Sequence, residues 1–140
     1  MKTLGWISLI VLCASCSSSE SENVVVAQKM FDAFNKHDWP LMAGYYSDNA
    51  SFLDPSFGKD YVTKSHAETI EKYKGFEQMF PDLHDEVVGM YASGDKVTVE
   101  FVSTGTSGDT LSFKLPIITV LTFKDGVIVK DATYYDQENP

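Results

Sequence analysis

The stretch FPDLHDEVVGMYASGDKVTVEFVSTGT, Phe80 to Thr106, decides the fold. At Pro81 the apolar spacing changes from helical to alternating. Leu83 to Ala92 reads as one strand and Ser93-Gly94-Asp95 as a tight turn. In the returning strand Val97, Val99 and Phe101 alternate with Thr98, Glu100 and Val102. Two such runs joined by a short Gly-Asp turn form an antiparallel pair. The pattern then repeats. Ser107-Gly108-Asp109 is a second turn, and Leu111 to Phe123 is a long strand with Pro116 at a bulge or an edge. Lys124-Asp125-Gly126 is a hairpin turn, and Val127 to Asp136 is the last strand.

Upstream of Phe80 the spacing is helical. Asn23 to Lys36 places Val26, Met30 and Phe34 on one stripe, with Ala27 and Phe31 beside it. Asp38 caps a second short helix, with Pro40 in its first turn, where a missing N–H costs nothing. Ser47-Asp48-Asn49 reads as a turn, Ala50 to Asp54 as a short strand stopped by Pro55, and Ser56 to Val62 as a loop. Ser65 and Glu68 form an S-x-x-E capping box for a third helix that stops at Pro81. The order is helix, helix, strand, helix, then four hairpin-connected strands. This predicts an α+β domain with helices packed on one face of an antiparallel sheet.

The chain has 140 residues, and 23–140 suffices for one domain with a core of its own. Twenty Asp and Glu stand against eleven basic residues, a net charge of −9. That argues against nucleic acid and against adsorption to anionic lipid. Nine Phe and seven Tyr serve either a core or a lined pocket. The three His lack a metal-ligand spacing, and there is no Gly-rich phosphate loop and no G-x-S-x-G; neither a metal nor a cofactor is expected. His37 and His66 sit at helix ends and read as exposed.

The chain begins MKTLGWISLIVLCASC. Lys2, the apolar run Leu4 to Leu12, and small Ala14 and Ser15 before Cys16 read as a signal peptide over 1–15, since the run is too short to span a bilayer. The ending resembles the lipobox of bacterial lipoproteins, with Cys13 where Leu is usual. The resemblance implies lipidation of Cys16, residues 16–22 as a polar tether, and a membrane contact through the lipid alone. Ser17 after Cys16 points to the outer membrane of a Gram-negative envelope. An ordinary secretory signal cut near Ser15 is the alternative.

Three stretches together resemble the SnoaL-like group of the nuclear transport factor 2-like superfamily. They are NKHDWPLMAGYYSDNASFLDP (Asn35 to Pro55), the Phe80 to Thr106 stretch, and DGVIVKDATYYD (Asp125 to Asp136). The resemblance implies a cone-shaped fold of three N-terminal helices on a curved antiparallel sheet over 23–140. The superfamily hosts isomerases, cyclases, dehydratases, epoxide hydrolases and binding modules, so fold does not fix function. Asp54 matches the general base of ketosteroid isomerase, and an Asp before Pro is equally an ordinary turn residue. The isomerase's oxyanion donors would fall at Met30 and near Ile118 or Thr119, and neither Met nor Ile can donate. Asp136 matches the acid/base Asp of SnoaL-like cyclases, and near the chain end it is equally a solvated charge. His84 is a third candidate for proton transfer, or a structural His. Alternation puts Ile128, Ala132, Tyr134 and Asp136 on one inward face. Tyr45, Tyr46, Phe52, Phe76, Tyr91 and Tyr134 are candidates to line a pocket for a small apolar carbonyl compound. The expected function is acid/base chemistry on that compound, and the alternative is a non-catalytic binding module of the envelope. Val127, Val129 and Tyr135, opposite that inward face, imply a homodimer through the outer sheet.

Overall fold

The computed structural model describes residues 15–108 and 111–136. The expected signal peptide, apart from Ser15, and the side chain of Cys16 lie outside the described residues. The described elements are α1 (Ser15–Phe34), α2 (Trp39–Ala43), β1 (Tyr46–Leu53), a 3-10 turn (Pro55–Phe57), β2 (Val62–Lys64), α3 (His66–Met79), β3 (His84–Ser93), β4 (Lys96–Ser107), β5 (Leu111–Lys124) and β6 (Val127–Tyr134). They form an α+β domain. No helix among the described residues is long and apolar enough to cross a membrane.

The local signals act as their chemistry requires. Asp38 accepts the Leu41 N–H at the start of α2, with Pro40 in its first turn. Ser65 and Glu68 close a reciprocal capping box on α3. Gly94 and Gly126 sit at positive φ in the β3–β4 and β5–β6 hairpin turns, a region where a Cβ would be strained. Pro116 pairs with Val102 on β4, while β6 reaches β5 only as far as the Ile118–Tyr134 pair; its other side is therefore a local edge.

The sheet order is β2-β1-β6-β5-β4-β3. β3 to β6 form the expected antiparallel meander. β1 then docks on the free edge of β6 in parallel, with Leu53 opposite Ala132, so the sheet is mixed and not wholly antiparallel. The short strand β2, which starts at Val62, the last residue of the segment read as a loop, pairs with β1. Ser47-Asp48-Asn49 lies inside β1. Asn49 adopts φ 64°, and the β1–β6 register shifts across this segment. The turn-forming residues make a bulge, and Asp48 Oδ1 caps α3 by accepting the His66 N–H at 2.9 Å.

α1 begins eight residues before the expected Asn23, so 16–22 continues the helix instead of forming a separate tether. Extending a helix already docked on β3 and β4 fixes few dihedrals per hydrogen bond. Glu20 Oε1 also accepts the Gly94 N–H at 2.6 Å, fastening this end to the β3–β4 hairpin.

The core lies between α1, α2 and the inner sheet face, with Met42, Val97, Val99, Leu121 and Ile128 almost wholly enclosed. Two bulges decide which residues face it. The β5–β6 register jumps from Thr122–Lys130 to Phe123–Ile128, leaving Val129 as the extra residue. Ile128 therefore points inward before the bulge and Asp131, Thr133 and Tyr135 after it. The inward set Ile128, Ala132, Tyr134 and Asp136 is overturned, because one inserted residue inverts every later position. Val88 plays the same part in β3, between the Val87–Phe101 and Gly89–Glu100 pairs.

Candidate active site

The inward side chains of β3 to β6, residues of α1, α2 and α3, Tyr46 at the start of β1 and Asp54 just beyond it line a cavity of about 180 Å³ that opens to solvent. Its walls are largely apolar, with Met30, Phe31, Phe34, Phe76 and Phe101 among them. Three carboxyl side chains line it: Asp54, Asp85 and Asp131.

Asp85 is the second residue of β3. Asn35, just past the end of α1, holds its backbone like a paired strand. Asn35 Nδ2 donates to the Asp85 carbonyl at 2.8 Å, and the Asp85 N–H donates to Asn35 Oδ1 at 2.8 Å. Leu83 and Asp85 share the buried face of the strand, and Asp85 is only 6 % exposed. Burial raises its pKa to about 7, against a smaller opposing effect of the Ser103 hydroxyl. Its Oδ1 has no hydrogen-bond partner. A buried carboxyl whose pKa is raised to about 7 and whose Oδ1 has no partner can both give and take a proton.

Asp131 is fully engaged. Tyr46 donates its hydroxyl to Oδ2 at 2.8 Å, and Oδ1 lies 2.5 Å from Thr119 Oγ1 and 2.9 Å from Thr133 Oγ1. Burial raises its pKa, the charge of Asp54 adds to this, and the three hydroxyls oppose it. Burial, with the Asp131 charge next, also lifts Tyr46 and Tyr73 well above the usual phenol value, so their hydroxyls stay protonated.

Asp54 follows the last residue of β1 and caps the 3-10 turn, accepting the Ser56 N–H at 2.8 Å. Lys72 of α3 donates to its Oδ2 at 3.0 Å, and Tyr135 donates to Oδ1 at 3.1 Å. Burial alone would raise this carboxyl; the Lys72 ammonium and the Ser56 N–H outweigh it and hold Asp54 below the usual carboxylate range. The Lys72 Nζ lies 4.0 Å from the centroid of the Phe57 ring, a cation–π contact. Among the described residues no group of three or more His, Cys, Asp or Glu could hold a metal ion.

Of the residues singled out from the sequence, Asp54, Tyr46 and Phe76 line this cavity. Phe52 is buried in the core beside Tyr46, and Tyr45 packs half-buried against the core. Neither is among the lining residues. His84 is exposed, because its neighbours Leu83 and Asp85 take the inward face. Asp136 is exposed beyond the end of β6, and Tyr134 and Tyr91 are exposed on the outer sheet face, where the Tyr91 hydroxyl donates to Glu100. Tyr135, expected on that outer face, turns into the cavity. His37 and His66 are half-buried, not exposed. The His37 Nε2 donates to the Leu83 carbonyl at 2.8 Å, and the His66 Nε2 donates to the Tyr46 carbonyl at 2.8 Å. Asp85, Asp131 and Lys72 escape a reading by motif. Asp85 was legible in one respect: it sits two residues from Leu83 and from Val87, in the middle of an apolar strand face.

Comparison with curated protein sequences gives no match. Solved structures show the fold. A hypothetical protein of Catenulispora acidiphila with a ketosteroid isomerase-like fold, in complex with trimethylamine, superposes with a TM-score of 0.70 at 18% identity, covering 80% of this chain and 85% of that one. A SnoaL-like protein of unknown function from Burkholderia thailandensis gives 0.70 at 18% identity, covering 84% and 96%. An epoxide hydrolase from M. tuberculosis, of the LEH-like type, gives 0.70 at 15% identity, covering 84% of each chain. At these identities the likeness is one of fold. The SnoaL-like domain family itself matches residues 27–130, from the middle of α1 to the bulged start of β6, and the chain belongs to that family.

Proposed function

We propose that the chain is a cofactor-free acid/base enzyme for a small, largely apolar carbonyl compound, with Asp85 as the group that gives and takes the proton. The observation that carries this reading is a carboxyl of pKa about 7 with an unpartnered oxygen in an apolar cavity. Such a group takes a proton from the carbon beside a carbonyl in its ionised form and returns it in its neutral form. The Tyr46–Asp131–Thr119–Thr133 cluster and the Asp54–Lys72 pair form fixed polar walls around it. Asp136 and His84, exposed to solvent, drop out of the proposed mechanism, and Asp54 moves from base to ion-pair partner. An apolar cavity of about 150 Å³ holds a benzene-sized molecule, so a volume of about 180 Å³ suits a compound of that scale.

The test is hydrogen–deuterium exchange at the α-carbons of small cyclic ketones in D2O, followed by NMR. Exchange above the buffer rate that falls to it in Asp85→Asn supports the enzyme. Exchange that survives Asp85→Asn refutes the role of Asp85. A binding module without turnover is the second reading. It is favoured by the engagement of Asp54 and Asp131 with protein partners, which leaves a holding site with one unpartnered oxygen. The fold neighbour that carries trimethylamine supports small-molecule binding under either reading. Bound ketone with no exchange would select it. Export and lipidation at Cys16 remain part of the proposal, and would place the site in the bacterial envelope.

A further inference from the structure

The cavity has a charge imbalance that its own residues do not correct. Among the described residues that line it, three are carboxylic acids and one, Lys72, is basic. Lys72 is committed to Asp54 at 3.0 Å, and both side chains are 16 % exposed. The Asp131 oxygens are taken by hydroxyls, which supply hydrogen bonds but no charge. Asp85 is left with no cation and with Oδ1 unpartnered, although the side chain is more than nine-tenths buried. A buried acceptor without a donor costs about 1–3 kcal/mol, and more when charged. What would relieve it is an N–H donor carrying positive charge. The remaining walls suit such a group, because the faces of Phe and Tyr rings attract a cation. Phe31, Phe34, Tyr73 and Phe101 all line the cavity, and the Phe31–Phe101 and Phe34–Tyr73 pairs meet edge to face at 5.0 and 5.4 Å.

We infer that the natural ligand of this cavity is a compact organic ammonium compound whose charged N–H group is held by Asp85 Oδ1 while its apolar part lies among the aromatic rings. This inference rests on the reading that the cavity is the ligand site, and because the ammonium takes the oxygen that proton transfer would use, it goes with the binding-module reading, in which the bound amine is itself the cargo. Neutral alcohols of the same shape fill the space and offer a donor, but they leave the acid excess uncompensated. Carboxylates add to it.

Three probes of one shape separate these cases: benzylamine, benzyl alcohol and benzoate, added to the full chain at pH 8. Binding is read from the methyl signals of Met30 and Met42, which line the cavity, and from calorimetry. Benzylamine is expected to bind at least about tenfold more tightly than benzyl alcohol, with benzoate weakest. In Asp85→Asn the amine and the alcohol should come within about twofold of each other. If benzyl alcohol matches benzylamine in the unmodified protein, or the preference survives Asp85→Asn, the ammonium inference is overturned while the cavity stands as a ligand site. If none of the three moves the Met30 and Met42 signals, the cavity reading falls as well. The comparison of probes in the unmodified protein decides the matter even where the variant cannot be prepared.

Discussion

Replacing Asp85 by asparagine should stabilise the protein in neutral and alkaline solution and leave it unchanged in acid. The folded protein holds the Asp85 proton up to about pH 7, whereas an unperturbed Asp releases it near 3.8. Between those values the folded state binds more protons than the unfolded one, so stability falls as pH rises and levels off above about 7. At 1.36 kcal/mol per pH unit the accumulated penalty is about 4 kcal/mol. Asparagine has nearly the same shape and no charge, so it escapes that penalty. For a domain of this size 1 kcal/mol corresponds to roughly 3–6 °C in Tm, so the variant should melt about ten degrees or more above the parent at pH 8. The assay is a paired series of thermal melts from about pH 4 to pH 9. The difference between the two proteins isolates Asp85, because every other carboxyl contributes to both. A gap that is the same at every pH would refute the burial argument. A variant less stable than the parent at pH 8 would refute it more strongly, since it would mean that the ionised carboxylate is favourably held.

Lys72→Met should cost about 3–5 kcal/mol in urea melts at pH 7 by leaving the Asp54 charge buried and unpaired, and adding Asp54→Asn should recover much of the loss. Because Lys72 holds the Asp54 pKa down, the parent loses this stabilisation as pH falls through that depressed value, and the Lys72→Met protein should not show the loss. Tyr46→Phe removes a 2.8 Å hydrogen bond to Asp131. It should cost about 1.5–3 kcal/mol with Asp131 ionised, and move the Asp131 carboxyl titration upward in NMR. Cys16→Ser should release the protein from membranes on cell fractionation, and firm retention would refute lipidation. Val88, Tyr91, Ile118 and Tyr134 expose apolar surface on the outer sheet face, with Ile118 and Tyr134 directly paired. The lipid-free domain should therefore sediment as a dimer at micromolar concentration, and a clean monomer would refute that pairing.

The elements were legible where one residue type dictates one local geometry. Asp38 with Pro40, Ser65 with Glu68, and the turns at Gly94 and Gly126 each fix an end or a reversal by chemistry that needs no neighbour. The parallel seating of β1 on β6 was not legible, because it depends on which sheet edge remains free once the meander has formed. The site was legible only as far as the alternation of each strand runs unbroken. On β1 it does beyond Ala50, so Asp54 could be placed facing inward beside Phe52. On β6 the run Val127-Ile128-Val129 is apolar at three successive positions, so either parity satisfies it, and nothing local marks Val129 as the extra residue. That single insertion exchanges Asp136 for Asp131 as the acid facing the cavity. On β3 no bulge intervenes between Leu83 and Val87, and strict alternation from Leu83 places Asp85 inward and His84 outward. Asp85 stood out less than His84 because acids are abundant in this chain and most are surface charges. Its strand face gives a sharper criterion: an acid flanked at two-residue spacing by apolar side chains is buried unless the strand breaks, and burial is costly enough to demand a partner or a proton. Asp85 has Ser103 and, below about pH 7, the proton, and its unpartnered Oδ1 is where a ligand donor would complete the set.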